Sequence, residues 1–147
     1  GVTVVTTRGI AGDFAGLTVN SFSSLSLSPP LVLWSLALSA ASFDAFKSCS
    51  HFVVNVLAEN QIHLAERFAQ SGGDKFKDLP WREGIAGVPL LDDVAASFAC
   101  RIESRYPGGD HVILVGEVLA YEKSDRAPLL YARGRYGRLE DSKPVTR

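Results

Sequence analysis

The sequence predicts a mostly β fold with a few short α-helices, and three observations support this. The chain has 147 residues, of which 46% are hydrophobic and 21% charged, so one domain over residues 1–147 can bury a substantial core. Short segments rich in β-branched and aromatic side chains recur between clusters of glycine, proline and aspartate. Only two segments have helical spacing. Many strands at short intervals are typical of a β-barrel.

The first third of the chain predicts three strands. Residues 2–7 (VTVVTT) are almost wholly β-branched, which favours a strand, and a glycine-containing turn over 9–14 leads into a second strand over 15–22. Pro29 and Pro30 impose an extended backbone. The apolar residues 31–36 then predict a third strand, which is followed by a loop of small residues.

The rest of the chain predicts two short helices and four more strands. A helix over 42–49 has Ser42 as its candidate N-cap, and an amphipathic helix over 60–70 has Asn60. A strand over 51–57 separates them, and 72–87 is polar and irregular. Long strands over 94–106 and 112–122 are joined by a proline- and glycine-containing turn, and the last strand covers 129–136.

Composition excludes several classes of function. The formal net charge of -1 leaves no basic surplus for nucleic acid. Cys49 and Cys100 form no CxxC pair, which favours reduced core thiols over a zinc site or a disulfide, and we expect no metal. No leader and no apolar run of about 18 residues is present, so we expect a cytoplasmic protein without a membrane span. Because the sequence has 0 methionines and begins at Gly1, we also expect a trimmed N-terminus.

Common catalytic motifs are absent from the sequence. It has no GxGxxG fingerprint, no GxxxxGK[ST] loop, no HExxH and no GxSxG elbow. Its three histidines are scattered. A hydrolase or a zinc enzyme therefore has little support.

Polar residues within apolar strand sequence are the first candidate site. They are Thr18, Asn20, Ser21, Ser23 and Ser24. Buried hydroxyls and amides cost a few kcal/mol unless they are paired, so a ligand with polar edges could pair them. A solvated strand face followed by a serine-rich turn explains the same pattern about equally well.

Three further segments carry weaker signals. Ser39 and Ser42 lie among alanines before a helix, as in a phosphate cradle or a simple cap. His111 follows a tight turn, where it could move a proton with Asp110 as its orienting partner, or merely cap a hairpin. Aromatic and cationic residues over 131–136 could hold a cofactor or pyrophosphate, or could decorate an edge strand.

Six segments in this order resemble the short-chain flavin reductase family, the NAD(P)H:flavin oxidoreductases of two-component monooxygenases. They are VTVVTT, GLTVNSFSSLSLSPPLVL, FVVNVL, LAERFAQ with DKF, GGDHVILVGEV and PLLYARGRY. The resemblance implies a split β-barrel with Greek-key features and a homodimer with flavin near the subunit interface. It also implies FMN or FAD, NADH or NADPH as co-substrate, and diffusible reduced flavin shared with an oxygenase component.

The resemblance also assigns site residues. Around the flavin it places, together with Thr18 of the polar strand, Asn20, Ser21, Phe22, Ser23, Ala37, Ser39, Ser42, Phe43, Gln70, Ser71 and Phe76. On the nicotinamide side it places His111, Tyr131, Arg133 and Gly134. We expect His111→Ala to weaken NAD(P)H use while leaving flavin binding nearly intact.

Alternatives stay open for both the cofactor and the function. Many relatives carry a lysine or arginine in the segment over 37–43, whereas this chain has Leu38, Ala40 and Ala41 there. A flavin phosphate would then be held largely by hydroxyls and backbone N–H groups, and the choice between FMN and FAD stays open. The alternative functions are another FMN oxidoreductase on the same barrel and a non-catalytic flavin-binding or redox-sensing module.

Overall fold

A seven-stranded antiparallel sheet organises the fold in the computed structural model, which describes residues 1–140 and 144–146. The strands of this sheet lie in the order β2-β1-β5-β8-β9-β4-β3. Strands make up 51% of the structure and helices 12%. The predicted mostly β class is therefore confirmed.

The bounds of the elements are as follows. The main sheet contains β1 (Thr3–Arg8), β2 (Phe14–Val19), β3 (Ser23–Leu27), β4 (Pro30–Ala37), β5 (His51–Val56), β8 (Ala96–Gly108) and β9 (His111–Lys123). Two small hairpins contain β6 (Trp81–Glu83) with β7 (Pro89–Leu91), and β10 (Leu129–Ala132) with β11 (Arg135–Arg138). The helices are α1 (Phe43–Ser48) and α2 (Ile62–Ala69).

β1 is buried from Thr3 to Thr7, which explains its β-branched sequence. Its threonine hydroxyls are satisfied by backbone carbonyls. Thr3 Oγ1 donates to Val19 O at 2.8 Å, and Thr7 Oγ1 donates to His51 O at 2.7 Å. These bonds tie β1 to both of its neighbouring strands, so the polar atoms of this buried strand help to hold the sheet together.

Two large apolar clusters and a small one around Val53 fill the interior of the described part of the chain. The first large cluster surrounds Trp34, Phe46 and Phe52, and the second contains Leu64 and Phe68 of α2. α2 packs on β1 and β2, so its C-terminal end lies beside the outer strand of the sheet. This placement puts the end of α2 next to the loop that follows β4.

The structure corrects three local predictions and confirms the position of a fourth, the N-cap at Ser42. The last segment is a hairpin and not one strand over 129–136, because Arg133 and Gly134 both have positive φ, as the turn of a tight hairpin requires. Gln61, and not Asn60, occupies the N-cap of α2. Ser42 is at the N-cap of α1 but makes no side-chain capping bond. The segment over 72–87 contains β6, a short strand that its polar sequence concealed.

Cys49 and Cys100 are free and buried, so the prediction of reduced core thiols is confirmed. Burial raises the pKa of the Cys100 thiol to about 12. Among the described residues, no helix has both the length and the apolar character that crossing a membrane requires.

Candidate functional site

A groove runs from the end of β4, past β2, to the C-terminal end of α2. Its first part, here called the strand-edge pocket, has a volume of about 430 Å³ and lies against Ser35, Ala37 and His111. Its second part, the loop pocket, has a volume of about 200 Å³ and lies between the 39–42 loop and the 68–71 segment. Leu17 and Thr18 line both pockets, so the groove is continuous.

The edge of β4 is open beside the strand-edge pocket. β3 pairs with β4 only as far as Ser23 opposite Leu33. Beyond that point the Ser35 N–H donates to the Ser21 hydroxyl at 2.9 Å. Backbone groups two residues apart in a strand point the same way, so the Ala37 N–H faces the same free edge. Since the Ser35 N–H is already bonded to Ser21, the Ala37 N–H is the group at this edge that can bind the polar rim of a ligand.

His111 also lines this pocket and is the cross-strand partner of Ala37 in the register of β4 and β9. Its Nδ1 lies 2.7 Å from Asp110 Oδ1. An ionised carboxylate only accepts hydrogen bonds, so Nδ1 carries the proton and Nε2 is left for another partner. The same bond holds the pKa of the Asp110 carboxyl below its ordinary value. Asp110 is therefore the orienting partner of this histidine.

Lys75 supplies a cation at the loop pocket, and the sequence analysis did not select it. Its Nζ donates to Phe68 O at 3.3 Å, at the C-terminal end of α2. Partial burial lowers the pKa of the Lys75 ammonium, because burial disfavours its charged form. An anion bound beside this ammonium would stabilise its charged form again. The DKF segment was the available signal, but only the fold brings its lysine to the serine loop.

Hydrogen bonds from Arg67 of α2 hold the loop that carries Lys75. The Arg67 guanidinium donates to Lys75 O at 3.5 Å and to Lys77 O at 3.3 Å, and the Phe76 N–H donates to Asp74 Oδ1 at 3.1 Å. These bonds hold the loop backbone and so fix the position of the Lys75 Cα atom, from which the side chain extends.

The structure brings most of the predicted flavin residues to this groove. Its lining includes Thr18, Asn20, Ser21, Ala37, Ser39, Ser42, Gln70, Ser71 and His111. Phe76 lines an adjoining pocket and packs its ring against Phe68 at 5.2 Å. The spatial grouping is observed, whereas the binding roles stay predictions.

Six predicted residues line neither the groove nor the adjoining pocket of Phe76. Phe22 and Phe43 pack against the first apolar cluster, and Ser23 is exposed at the start of β3. The other three, Tyr131, Arg133 and Gly134, belong to the β10–β11 hairpin and not to a strand near His111. None of these three hairpin residues lines the strand-edge pocket or the loop pocket.

The burial argument made for the polar strand residues is wrong for four of them. Asn20, Ser21, Ser23 and Ser24 are exposed, because the chain leaves the sheet after Val19 and re-enters it at an edge strand. Thr18 is half-buried, but its hydroxyl already donates to Ala65 O at 2.6 Å. The solvated interpretation therefore describes Ser23 and Ser24 correctly.

A second concave region lies away from the groove, with a volume of about 390 Å³ and mostly charged walls. Its arginines are already paired, Arg82 with Glu122 and Arg126 with Asp93 at 3.2 Å. None of the predicted site residues lines it. Its charges largely neutralise one another, so it offers less to an anionic ligand than the groove does.

The groove fits a flavin. An isoalloxazine ring needs an apolar wall and donors at its polar rim, which Leu17 and the β4 edge provide. A phosphate needs hydroxyl donors and a cation, which Ser39, Ser42 and Lys75 provide at the far end. Both requirements are met in one continuous cleft, in the order that a ring with a phosphorylated tail demands.

Comparison with known proteins places the chain among flavin reductases. The flavin reductase like domain matches residues 1–140. A probable flavin reductase of Rhizobium meliloti (strain 1021) is 45% identical over 136 residues, covering 92% of this chain and 44% of that protein. The FMN reductase (NADH) SmoA of Agrobacterium fabrum is 45% identical over 138 residues, covering 94% of this chain and 78% of that protein. The chain thus spans less than half of one of these relatives and most of the other.

A solved structure agrees in fold over the whole chain. Nitrilotriacetate monooxygenase component B from Mycobacterium thermoresistibile superposes with a TM-score of 0.93 at 35% identity, covering 100% of this chain and 84% of that one. Solved flavin reductases of this kind have the split-barrel fold, so the predicted split barrel is confirmed. On this evidence the chain belongs to the flavin reductase-like domain family.

Proposed function

We propose that this chain is an NADH-dependent flavin reductase that binds FMN or FAD in the described groove. One observation carries the proposal. The groove joins an open strand edge with His111 at one end to Lys75 and two serines at the other. The names of SmoA and of the R. meliloti relative support the same activity.

The residues of the groove bind and orient rather than react. When bound, the flavin supplies the hydride-accepting chemistry. Ser21 holds the edge of β4, so that the Ala37 N–H stays in place for the ring. His111, oriented by Asp110, presents Nε2 to the nicotinamide side, and Lys75 neutralises the phosphate. Positioning of this kind can supply most of the rate enhancement between two planar reactants.

The proposal includes an oxygenase component that receives the reduced flavin, as the name of the Mycobacterium neighbour supports. It also includes a cytoplasmic location, which suits two free thiols and a pyridine nucleotide co-substrate.

A homodimer is the third part of the proposal. Leu25, Leu27, Leu119 and Tyr121, here called the apolar patch, are 50%, 95%, 41% and 70% exposed. The strand register puts Leu27 beside Pro30 and Glu117 beside Leu31, so the apolar patch occupies one end of the β3-β4-β9 sheet. Exposed apolar area of this kind favours a protein contact. A second copy is also what could bring Tyr131, Arg133 and Gly134 to a neighbouring groove.

The first experiment mixes the protein with NADH or NADPH and FMN or FAD and follows absorbance at 340 nm. We expect rapid loss of NADH absorbance that depends on added flavin. Flavin that stays bound without NADH oxidation would instead indicate a binding module.

A second experiment locates the phosphate end. Lys75→Met should weaken FMN binding by about 10-fold, as expected for one charge-assisted hydrogen bond, and should leave riboflavin binding unchanged. Fluorescence titration measures both affinities. The matched control is Lys47→Met, because Lys47 is an exposed lysine of α1 that does not line the groove. Equal losses for FMN and riboflavin would contradict the assignment of Lys75.

A further inference from the structure

The short helix α1 connects the phosphate end of the groove to the interior of the fold. Ser42 directly precedes the helix and lines the loop pocket, and Phe46 within the helix is fully buried. A helix of 6 residues is not stable in isolation, because ordering its first turn costs more than the few hydrogen bonds return. The position of α1, and with it that of Ser42, therefore depends on contacts with the rest of the chain.

Arg105 of β8 binds the C-terminal end of this helix. Its Nη2 donates to Phe46 O at 3.0 Å and to Cys49 O at 2.7 Å. Carbonyl groups at the end of a helix lack partners within the helix and lie at the negative end of its dipole. The Arg105 guanidinium supplies both hydrogen bonds and positive charge there, and it ties α1 to a strand of the main sheet.

A series of backbone hydrogen bonds connects this contact to the groove. The Phe46 N–H donates to Ser42 O at 3.3 Å, and the Phe43 N–H donates to Ala40 O at 3.0 Å. The Ala40 N–H in turn donates to Ala37 O at 3.0 Å, at the end of β4. The segment between β4 and α1 is thus wound without a break, so movement of the helix is passed to Ser42.

The Ser42 hydroxyl is the group of this segment that can act on a ligand. It makes no capping bond at the start of α1, although serine is a favoured N-cap residue. The hydroxyl can therefore donate to a phosphate in the loop pocket. Its placement there is only as well defined as the placement of α1.

We propose that Arg105 is a positioning residue for the flavin phosphate and that it acts through α1 on Ser42. This inference rests on the proposed function, since it needs a phosphate in the loop pocket. Arg105 does not line that pocket, so its effect on the phosphate is indirect. The ring end of the groove should not depend on Arg105, because Ala37 is also held there by its pairing with His111 of β9.

The first test measures the affinities of Arg105→Met for FMN and for riboflavin by fluorescence titration. We expect the Kd for FMN to rise by about 5-fold and the Kd for riboflavin to stay within about 2-fold of wild type, because only FMN has a phosphate for Ser42. Arg101→Met is the matched control, since Arg101 lies on the same strand and pairs with Glu117 at 2.7 Å. An unchanged Kd for FMN, or equal losses for both flavins, would overturn the proposal.

A double-mutant cycle with Ser42→Ala tests whether Arg105 acts through Ser42. The losses in FMN affinity should be less than additive, because Arg105→Met cannot misplace a hydroxyl that is already absent. Fully additive losses would show that Arg105 acts by another route, and they would contradict the proposed one.

Thiol labelling tests the contact of Arg105 with α1 in the absence of flavin. Burial raises the pKa of the Cys49 thiol, and the Arg105 guanidinium opposes this shift. If Arg105 acted by charge alone, its removal would make Cys49 less reactive, whereas loss of a contact that holds α1 would expose Cys49 and make it more reactive.

We expect Cys49 to label at least about 5-fold faster in Arg105→Met, with no change at the fully buried Cys100. Labelling of Cys49 at or below the wild-type rate would refute the positioning role. Faster labelling of both thiols would indicate general unfolding, which contradicts a local one.

The wild-type affinities separate the two ways in which the idea can fail. A wild-type protein that binds riboflavin as tightly as FMN would refute the phosphate site of the proposed function, and the role of Arg105 with it. A wild-type protein that prefers FMN, together with a folded Arg105→Met variant that keeps the same preference, would refute the role of Arg105 alone.

Discussion

At the scale of single residues, the hydroxyl-rich sequence around the groove serves two purposes. Thr18 donates to the backbone of α2 at Ala65, and Ser21 bonds the Ser35 backbone on β4. These side chains hold elements in place and are not free to bind a ligand. Among the donors that remain for a flavin are backbone N–H groups, Ser39, Ser42 and Lys75. Counting serines in the sequence therefore overestimates the number of direct ligand contacts.

The pair of Asp110 and His111 gives a prediction at this scale. The His111 ring lowers the pKa of the Asp110 carboxyl first through their hydrogen bond and then through charge. His111→Ala should return that pKa toward 3.8 and, because the imidazole lines the strand-edge pocket, should raise the KM for NADH. Carboxyl NMR titration and steady-state kinetics measure the two effects.

The sign of the linkage follows from the lowered pKa. The Asp110–His111 pair contributes to the stability of the folded protein above the ordinary pKa of Asp110. This contribution is lost as the pH falls through the lower pKa that Asp110 has in the folded protein. His63→Ala removes an exposed histidine of α2 and should change neither measurement. An unchanged Asp110 titration in His111→Ala would show that the bond does not persist in solution.

At the scale of elements, β9 depends on a glycine that its sequence pattern does not explain. A Cβ at Gly116 would lie 2.5 Å from Phe52 Cζ and 2.9 Å from Cys100 Cβ. The ring of Phe52 on β5 thus packs directly on the backbone of β9, across the intervening strand β8. Close approach, and not a positive φ, is what requires glycine here.

Gly116→Ala should therefore destabilise the protein by about 1–3 kcal/mol, because the core must move to admit the methyl group. Urea denaturation measures the free energy of unfolding. Gly137→Ala is the control, since a Cβ at that strand glycine meets nothing within 4 Å. Its change should stay within about 0.5 kcal/mol. Equal losses for the two variants would contradict the packing argument.

The sequence predicted elements best where burial alternates or is continuous. β1, β4, β5, β8 and β9 all overlap the predicted strands. The last hairpin was missed because Arg133 adopts positive φ without being glycine. Capping preference favours Asn60 over Gln61, but the Gln61 side chain accepts from the Ala58 N–H at 2.9 Å and donates to Asp92 O at 3.0 Å. The long-range bond to Asp92 is a contact that the local sequence does not encode.

Local sequence patterns also fail to predict one part of the candidate site, its cation. The family resemblance located Ser39, Ser42 and His111, whereas Lys75 comes to the groove only because α2 packs on β2. Local patterns do not encode which loops meet after folding. This is why a cation absent from residues 37–43 could be supplied from a distant segment.

At the scale of the whole molecule, the apolar patch defined above leads to the last prediction. If two copies associate through it, a double variant Leu27→Lys and Tyr121→Lys should dissociate the dimer, because unpaired charges would be buried in the contact. Analytical ultracentrifugation measures the mass of each species. Ile10→Lys is the control, since Ile10 is 84% exposed in the turn after β1 and lies outside the apolar patch.

We expect the control to remain dimeric and the double variant to sediment as a monomer. Monomerisation should also weaken NADH use if the hairpin residues Tyr131 and Arg133 act from the second copy. A wild-type monomer at micromolar concentration would contradict the dimer, and a dimeric double variant would contradict the apolar patch as its interface. Full activity in a proven monomer would leave each groove complete by itself, and the hairpin would then have no part in binding nicotinamide.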